Sequence, residues 1–344
     1  MLDPNSTHFN EKFLTVDYLE EFFVKAKVDV INSDLGIKPL VSVLFITYNH
    51  IDYIRQSLDG ILMQVTSFDW EILIGDDEST DGTREICQEY ARKYPNRIKL
   101  FLHKRENNIS ILNKPSGIFQ MTYNILRCQG KYIAVCSGDD VWTDPYKLQK
   151  QLDLLEKEDN IILSYHPFVR YGDVLANINL PELERFSNMP KASTMFFRNI
   201  NKILPINFID AIQEDVFLWH LLRFKGQFAL QADIEPSIIC TPLSSITRSL
   251  DEQQHFLHVL NINIQIFKSI DLTMTDIKQK RFVSYNLVSM LFNASYTIEQ
   301  KKHLLNTFRK MLSVKDVYYA LHFKANDSKH FKNYFTDNTI TCVS

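Results

Sequence analysis

Three short segments hold side chains able to do chemistry. They are Thr47-Tyr48-Asn49, the run Asp76-Asp77-Glu78-Ser79-Thr80-Asp81-Gly82-Thr83, and Ser137-Gly138-Asp139-Asp140-Val141-Trp142-Thr143-Asp144-Pro145. Adjacent carboxylates repel each other and are costly to desolvate, so Asp139 and Asp140 ask for a cation. Hard oxygen ligands of this kind suit Mg2+ or Mn2+, which also bind diphosphate oxygens and neutralise charge on a leaving diphosphate. A plainer reading makes the pair a polar loop, with Asp144 capping a helix whose first residue is Pro145. In the second run, a carboxylate such as Asp77 can accept the imide N–H of uracil or another base edge. The plainer reading there leaves Ser79 or Asp81 as a helix cap and Asp81-Gly82 as a turn, but gives Asp76 and Asp77 no task.

Each segment follows a short run of β-forming apolar residues. Val41–Ile46, Glu71–Gly75, Ile98–Leu102 and Tyr132–Cys136 read as strands, and Tyr53–Met63, Thr83–Tyr94 and Phe119–Cys128 as helices. This alternation predicts a doubly wound, Rossmann-like α/β sheet, mostly parallel, whose ligands sit at the carboxyl ends of the strands. Residues 9–31 carry apolar positions at helical spacing, so 1–37 is expected to form an N-terminal helical arm. Beyond residue 250 no convincing strand occurs. Helices are expected around Phe256–Ile270, Lys280–Phe292, Ile298–Leu312 and Val317–Phe323, giving a core domain over 38–250 and a helical region over 251–344. Residues 255–344 hold twelve Lys and Arg against six Asp and Glu, so the overall −3 conceals an acidic body at −9 and a basic tail at +6.

Composition narrows the choices further. The chain has 344 residues but only nine glycines, and neither G-x-G-x-x-G nor G-x-x-x-x-G-K-[ST] occurs, which argues against dinucleotide oxidoreductases and P-loop enzymes. Five cysteines with no C-x-x-C spacing fit reduced thiols, and the acidic N-terminus lacks the apolar run of a signal peptide. No stretch approaches 18 consecutive apolar residues. A cytoplasmic protein is therefore expected. The acidic body argues against nucleic acid. The basic tail, with Phe323-Lys324 and His330-Phe331-Lys332, leaves two readings open: a solvated face, or peripheral contact with an anionic inner membrane surface carrying a lipid-linked acceptor.

Taken together, the segments resemble the family-2 glycosyltransferases with the GT-A fold. The resemblance rests on Val41-Ser42-Val43 leading into Thr47-Tyr48-Asn49, on Asp76–Thr83, and on Gly130-Lys131-Tyr132-Ile133-Ala134 followed by Gly138-Asp139-Asp140. It is closest to a bacterial subgroup whose metal motif continues as Trp142-Thr143-Asp144-Pro145 and Lys147-Leu148-Gln149-Lys150-Gln151, with further matches at Ser164-Tyr165-His166, Ser193-Thr194, Phe197-Arg198-Asn199 and Glu214-Asp215. The resemblance implies an inverting transfer of sugar from a nucleotide-diphosphate donor, UDP-sugar favoured, to a hydroxyl of a glycan or lipid-linked acceptor, in surface-polysaccharide or glycoconjugate assembly. It implies that Asp77 reads the base and that Thr47, Tyr48 and Asn49 line the nucleotide pocket. Asp140 would contact Mn2+ or Mg2+ directly, with Asp139 on the ribose or in the metal shell. Asp215, with Glu214 beside it, would be the general base that a poorly nucleophilic sugar hydroxyl needs. The competing reading has both acids opening the helix Val216–Phe224, where they favour the N-terminal dipole.

Three positions depart from the subgroup. Ser137 stands two residues before the Asp pair where Glu is usual, an expected Asn is replaced near Gln120, and Tyr-Arg-x-His becomes Ile239-Cys240-Thr241-Pro242. Because that last segment normally helps hold diphosphate, an alternative is a GT-A-fold binding or scaffold protein with lost or reduced turnover; Arg248 is a candidate substitute. His166 is expected to be structural, Trp142 to pack beneath the metal loop, and Trp219 to belong to a helix core.

Overall fold

The computed structural model describes residues 13–108, 110–111, 114–115, 117–171, 185–186, 190–211, 214–223, 225–240, 256–257, 260–262, 264, 290 and 296–312. In chain order the elements are α1 (Val16–Phe22), β1 (Asp29–Ile31), β2 (Val41–Thr47), α2 (Ile54–Leu62), β3 (Trp70–Asp76), α3 (Thr83–Lys93), β4 (Ile98–Leu102), β5 (Ser110–Ile111), β6 (Lys114–Pro115), α4 (Ile118–Arg127), β7 (Tyr132–Ser137) and α5 (Lys147–Lys157). There follow β8 (Ile161–Tyr165), β9 (Phe168–Tyr171), β10 (Arg185–Phe186), β11 (Phe196–Arg198), α6 (Glu214–Arg223), β12 (Gln227–Leu230), β13 (Ser237–Cys240) and α7 (Ile298–Met311).

The chain divides into two compact units. One comprises Met1–Asp210, Glu214–Leu243 and Thr341–Ser344, the other Ala211–Gln213 and Ser244–Ile340. The first unit is built on an eight-stranded sheet in the order β1-β4-β3-β2-β7-β11-β8-β12. Strands β4, β3, β2 and β7 run parallel, β12 runs parallel to β8, and β1 and β11 are antiparallel to their neighbours. The doubly wound, mostly parallel sheet read from the sequence is therefore present.

Alternation along the strands sorts the core into layers. Val41, Val43 and Phe45 of β2 and Ile72 and Ile74 of β3 join Ile54, Leu58 and Ile61 of α2, Cys87 and Tyr90 of α3, and Leu148, Leu152 and Leu155 of α5 in one buried cluster. Each such aliphatic side chain contributes about 1.5–3 kcal/mol on burial. The intervening positions face α4, which packs on β2 and β3. Gly75 shows how close that approach is: a Cβ there would lie 3.0 Å from Gln120 Oε1 and still nearer to Asn124.

Two local readings need correction. The helix expected across residues 9–31 is confined, among the described residues, to Val16–Phe22, capped by the Thr15 side chain. Asp29–Ile31 instead pairs with β4 at the sheet edge, a long-range partner that helical spacing cannot reveal. Helix α5 begins at Lys147 rather than Pro145. Asp144 still accepts the Tyr146 N–H at 2.7 Å, but its second oxygen is drawn away by Lys150 at 3.0 Å and the Glu235 N–H at 3.1 Å.

In the second unit, Phe256, Leu260, Met290, Leu304 and Phe308 form a small apolar core. Thr297 and Gln300 make a reciprocal capping box on α7, the helix foreseen over Ile298–Leu312. The helices foreseen at Lys280–Phe292 (Met290 apart) and Val317–Phe323, with Phe323-Lys324, His330-Phe331-Lys332, Thr241, Pro242 and Arg248, lie outside the described residues.

Candidate active site

The chain runs from β2 outward through β3 and β4, and then returns to place β7 on the other side of β2. Such a switch point opens a crevice at the carboxyl ends of the strands. Thr47 lies opposite Asp76, and Ile46 opposite Ser137. The Asp77 N–H donates to Thr47 O at 3.0 Å and the Gly138 N–H to Ile46 O at 2.8 Å. All three chemistry-bearing segments thus meet at one edge, as their positions after the strands implied.

On the β3 side, Asp77 is 2% exposed and accepts Asn108 Nδ2 at 2.8 and 3.0 Å and Arg105 Nη1 at 2.7 Å. Burial pushes its carboxyl up to about 6, against the opposing pull of Asn108 and Arg105. The Arg105 guanidinium also lies 3.8 Å from the centroid of the Tyr48 ring. A planar cation stacked on an aromatic face and bonded to a carboxylate occupies the kind of place a flat base would take. Asn108 Oδ1 is buried with no hydrogen-bond partner among the described residues, a spare acceptor beside that pocket. Asn49 serves a different end. Its backbone is left-handed (φ 52°), its N–H donates to Ser79 Oγ at 2.9 Å, and its Oδ1 accepts the Thr80 N–H at 2.9 Å. It stitches the β2 turn to the loop after β3. Gly82 is the N-cap of α3 and no side chain caps it, so neither Ser79 nor Asp81 takes that role; Asp81 instead accepts the Thr83 N–H and the Ile51 N–H, each at 3.0 Å, as part of the turn.

On the β7 side the acid pair is split. Asp139 reaches outward, with Oδ2 4.0 Å from His50 Nε2, and His50 Nδ1 lies 3.1 Å from Thr47 Oγ1. Gly138 makes room for this cluster, since a Cβ there would fall on Thr47 Oγ1 and lie 2.7 Å from His50 Nδ1. Asp140 turns inward. Its Oδ2 accepts Ser193 Oγ–H and its Oδ1 the Cys240 N–H at 3.0 Å. Burial and the neighbouring charge of Asp139 push its carboxyl well above the usual range. Trp142 packs beneath the loop as expected, its indole N–H donating to Ser193 O at 2.8 Å. Below it the buried Lys147 ammonium sits 4.0 Å from the ring centroid, and burial lowers it to about 7. His166 is wholly buried, with Nδ1 2.8 Å from Pro167 O, in keeping with a structural role.

The donor set fits a divalent cation: oxygen ligands, two adjacent carboxylates and, among the described residues, only neutral hydrogen-bond donors on the buried one. Among the described residues no three His, Cys, Asp or Glu side chains converge. An ion here would draw its remaining ligands from phosphate or water, as Mg2+-type sites usually do. Of the two carboxylates, Asp139 is the more accessible, whereas the sequence had favoured Asp140 for direct contact.

Glu214 and Asp215 open α6, ahead of β12. Asp215 Oδ1 accepts only its neighbour's N–H, Val216, at 2.8 Å among the described residues. Glu214 is pushed up to about 7 by burial and by the Asp215 charge. No hydrogen bond or ion pair among the described residues joins either acid to the strand-end cluster. In the same helix Phe217 and Leu218 are buried and Trp219 meets Phe228 edge-on at 5.8 Å, a packing role.

Residues 42–217 match the family model described as Glycosyl transferase family 2, which spans just over half of the chain. The chain belongs to glycosyl transferase family 2. An uncharacterised protein of Mycobacterium tuberculosis is 38% identical over 144 residues, 42% of this chain and 39% of that protein. TuaG of Bacillus subtilis, named as a candidate teichuronic acid biosynthesis glycosyltransferase, is 32% identical over 157 residues, 46% of this chain and 56% of TuaG. These matches thus span less than two thirds of the relatives' length. Among solved structures, Staphylococcus aureus TarS in complex with UDP superposes with a TM-score of 0.53 at 14% identity, covering 86% of this chain and 89% of that one. The mannosyltransferase PcManGT of Pyrobaculum calidifontis, in complex with GDP-Man and Mn2+, gives 0.51 at 12%, covering 93% and 89%. The family-2 chain therefore has the GT-A fold that its motifs implied.

Arg105, Asn108 and His50 went unnamed in the sequence reading, and Ser193 had no role. For His50 the signal was its place directly after Thr47-Tyr48-Asn49. Arg105 and Asn108 follow β4, the one strand end whose loop carried no motif.

Proposed function

We propose that this family-2 protein transfers a sugar from a nucleotide-diphosphate donor, UDP-sugar favoured, to an acceptor hydroxyl by single displacement with inversion. The observation that carries this reading is that β2 serves both halves of the site: Tyr48 beside the Asp77 pocket, Thr47 beside His50 and Asp139. In this reading the base displaces Arg105 from the Tyr48 face, and its imide N–H donates to Asp77. Asp139 and Asp140 would hold Mn2+ or Mg2+, which when bound neutralises charge on the leaving diphosphate. Asp215 takes the acceptor proton as the new C–O bond forms on the face opposite the breaking bond to diphosphate. Glu214, protonated up to about pH 7, sits beside it without adding a second negative charge.

The name of TuaG, a candidate teichuronic acid biosynthesis glycosyltransferase, supports a glycan or lipid-linked acceptor in bacterial surface-polysaccharide assembly. No helix among the described residues is long and apolar enough to cross a membrane. Contact with an anionic inner membrane surface is supported by α7, whose exposed Ile298 and Leu305 fall in line with Lys302 and Arg309 at helical spacing. The decisive test is calorimetry of UDP binding with and without Mn2+, followed by donor turnover. Binding and turnover are expected, with kcat falling about 100- to 10,000-fold in Asp215→Asn. Failure to bind any nucleoside diphosphate overturns the reading, and UDP binding without turnover in any acceptor extract favours the scaffold alternative.

A further inference from the structure

We propose that His50 is a nitrogen ligand, together with Asp139, for the divalent ion at this site, an assignment that rests on the donor-binding reading above. The two imidazole nitrogens of His50 have different surroundings. Nδ1 lies 3.1 Å from Thr47 Oγ1, a hydroxyl that accepts a hydrogen bond from Nδ1–H in the tautomer protonated there. With the proton held there, Nε2 presents its lone pair to Asp139 Oδ2, 4.0 Å away. That separation is too long for an N–H···O hydrogen bond, so no proton bridges the two atoms directly. It is within the about 4.3 Å that two bonds of about 2.0–2.2 Å can span, so a shared ion reaches both atoms and a small turn of the side chains closes them on it. A ligating histidine commonly fixes its tautomer through its other ring nitrogen, which is the task Thr47 performs here.

The surroundings are built for this pair. Gly138 lacks the Cβ that would strike both Thr47 Oγ1 and His50 Nδ1. The His50 backbone N–H is anchored on Thr83 Oγ1 at 2.8 Å, so the residue is fixed from α3 as well as from β2. Both side chains remain partly accessible, 22% for His50 and 17% for Asp139, leaving an open approach for an ion carrying phosphate. Asp140, by contrast, is more deeply buried, and each of its oxygens already accepts one hydrogen bond, from Ser193 Oγ–H and from the Cys240 N–H, which leaves one lone pair on each for an ion. The segment that begins at Ile239 supplies a backbone donor to Asp140 and no side-chain ligand of its own within the described residues. A mixed nitrogen and oxygen set also makes a prediction about ion choice. Imidazole suits transition metals, whereas Mg2+ prefers oxygen alone, so Mn2+ should be favoured over Mg2+.

The test is electron spin-echo spectroscopy of the full chain loaded with Mn2+, alone and with UDP, using protein whose histidines carry a heavy nitrogen isotope. Modulation from a directly bound imidazole nitrogen is expected in the wild type and should vanish in His50→Gln. Calorimetry should show Mn2+ affinity falling about tenfold in that variant while Mg2+ affinity stays within about twofold. Circular dichroism confirms that the variant is folded, and the wild-type spectrum decides the matter even if it is not. Bound Mn2+ with no histidine modulation overturns the assignment and leaves the donor reading intact, with His50 then an ion-pair partner of Asp139. No Mn2+ binding with UDP present overturns the assignment, while UDP binding measured separately decides the donor reading.

Discussion

The two ends of the central sheet bury carboxylates in opposite ways. At the amino end, Glu71 is 1% exposed and accepts Ser42 Oγ–H at 2.7 Å and the Gln129 N–H at 3.1 Å, while the buried Lys99 ammonium lies 3.9 Å away. At the carboxyl end, Asp77 leans on a partly exposed arginine, and Asp140 has only neutral hydrogen-bond donors among the described residues, with the Lys191 charge acting on it without a hydrogen bond. A buried charge alone therefore says little about function. Where the counter-charge is inside the fold, the carboxylate is structural. Where it is lacking, or carried on a surface side chain, the site is left for a ligand to complete.

The largest test of that contrast is a pair of isosteric changes. Glu71→Gln strands the buried Lys99 and should cost about 3–5 kcal/mol of unfolding free energy in urea titration. Asp140→Asn removes a charge held by neutral hydrogen-bond donors, with only the unbonded Lys191 ammonium acting on it from a distance, so it should change stability far less than Glu71→Gln while abolishing the metal dependence of turnover. Equal destabilisation by both would dissolve the distinction.

The two glycines that flank β7 sharpen it. A Cβ on Gly130 would lie 2.6 Å from Ser42 N and 2.8 Å from Val41 C, against the backbone of β2. A Cβ on Gly138 meets side chains, those of Thr47 and His50. Gly130→Ala should therefore destabilise by about 1–3 kcal/mol with donor affinity kept by the folded fraction. Gly138→Ala should melt close to wild type but bind UDP and Mn2+ at least about tenfold more weakly, because the side chains must turn out of place. Loss of stability without loss of binding in Gly138→Ala would place that residue with the amino end.

How much of this was legible beforehand follows the same division. The parallel strands, α2 to α5 and the strand-end motifs were readable because apolar runs and post-strand polar residues are local signals. Thr47, Asp77 and Asp139 could be placed at the strand ends for that reason. Arg105 and Asn108 were not, because their roles arise from the pairing of β3 with β4, which sets them opposite Asp77 across a sequence gap. Asp29–Ile31 reads as the end of a helical stretch because three residues are too short to show a period of two, and pairing with the edge of β4 is what makes them a strand. The inward turn of Asp140 was likewise invisible, since Ser193 arrives from the short turn before β11 and Cys240 from β13.

The smallest effect expected is a pH dependence, and it separates Asp77 from the structural carboxylates by its sign. Burial holds Asp77 up at about 6, so the folded protein binds this proton more tightly than the unfolded chain does. Between about pH 6 and the ordinary carboxylate range near 4, this group makes the fold more stable as pH falls. Ligand binding should move the other way. The imide N–H of uracil needs an ionised acceptor, so affinity for uridine, which carries no phosphate to titrate in this range, should fall up to about tenfold per pH unit below about 6. Asp77→Asn should bind uridine weakly at every pH and flatten the profile, because the amide neither ionises nor presents two acceptors to the base and to Arg105. A wild-type profile that stays level from pH 7 to 5 would show that Asp77 does not face the base. The carboxylate would then belong with Glu71, paired within the fold and spent on holding Arg105 against Tyr48.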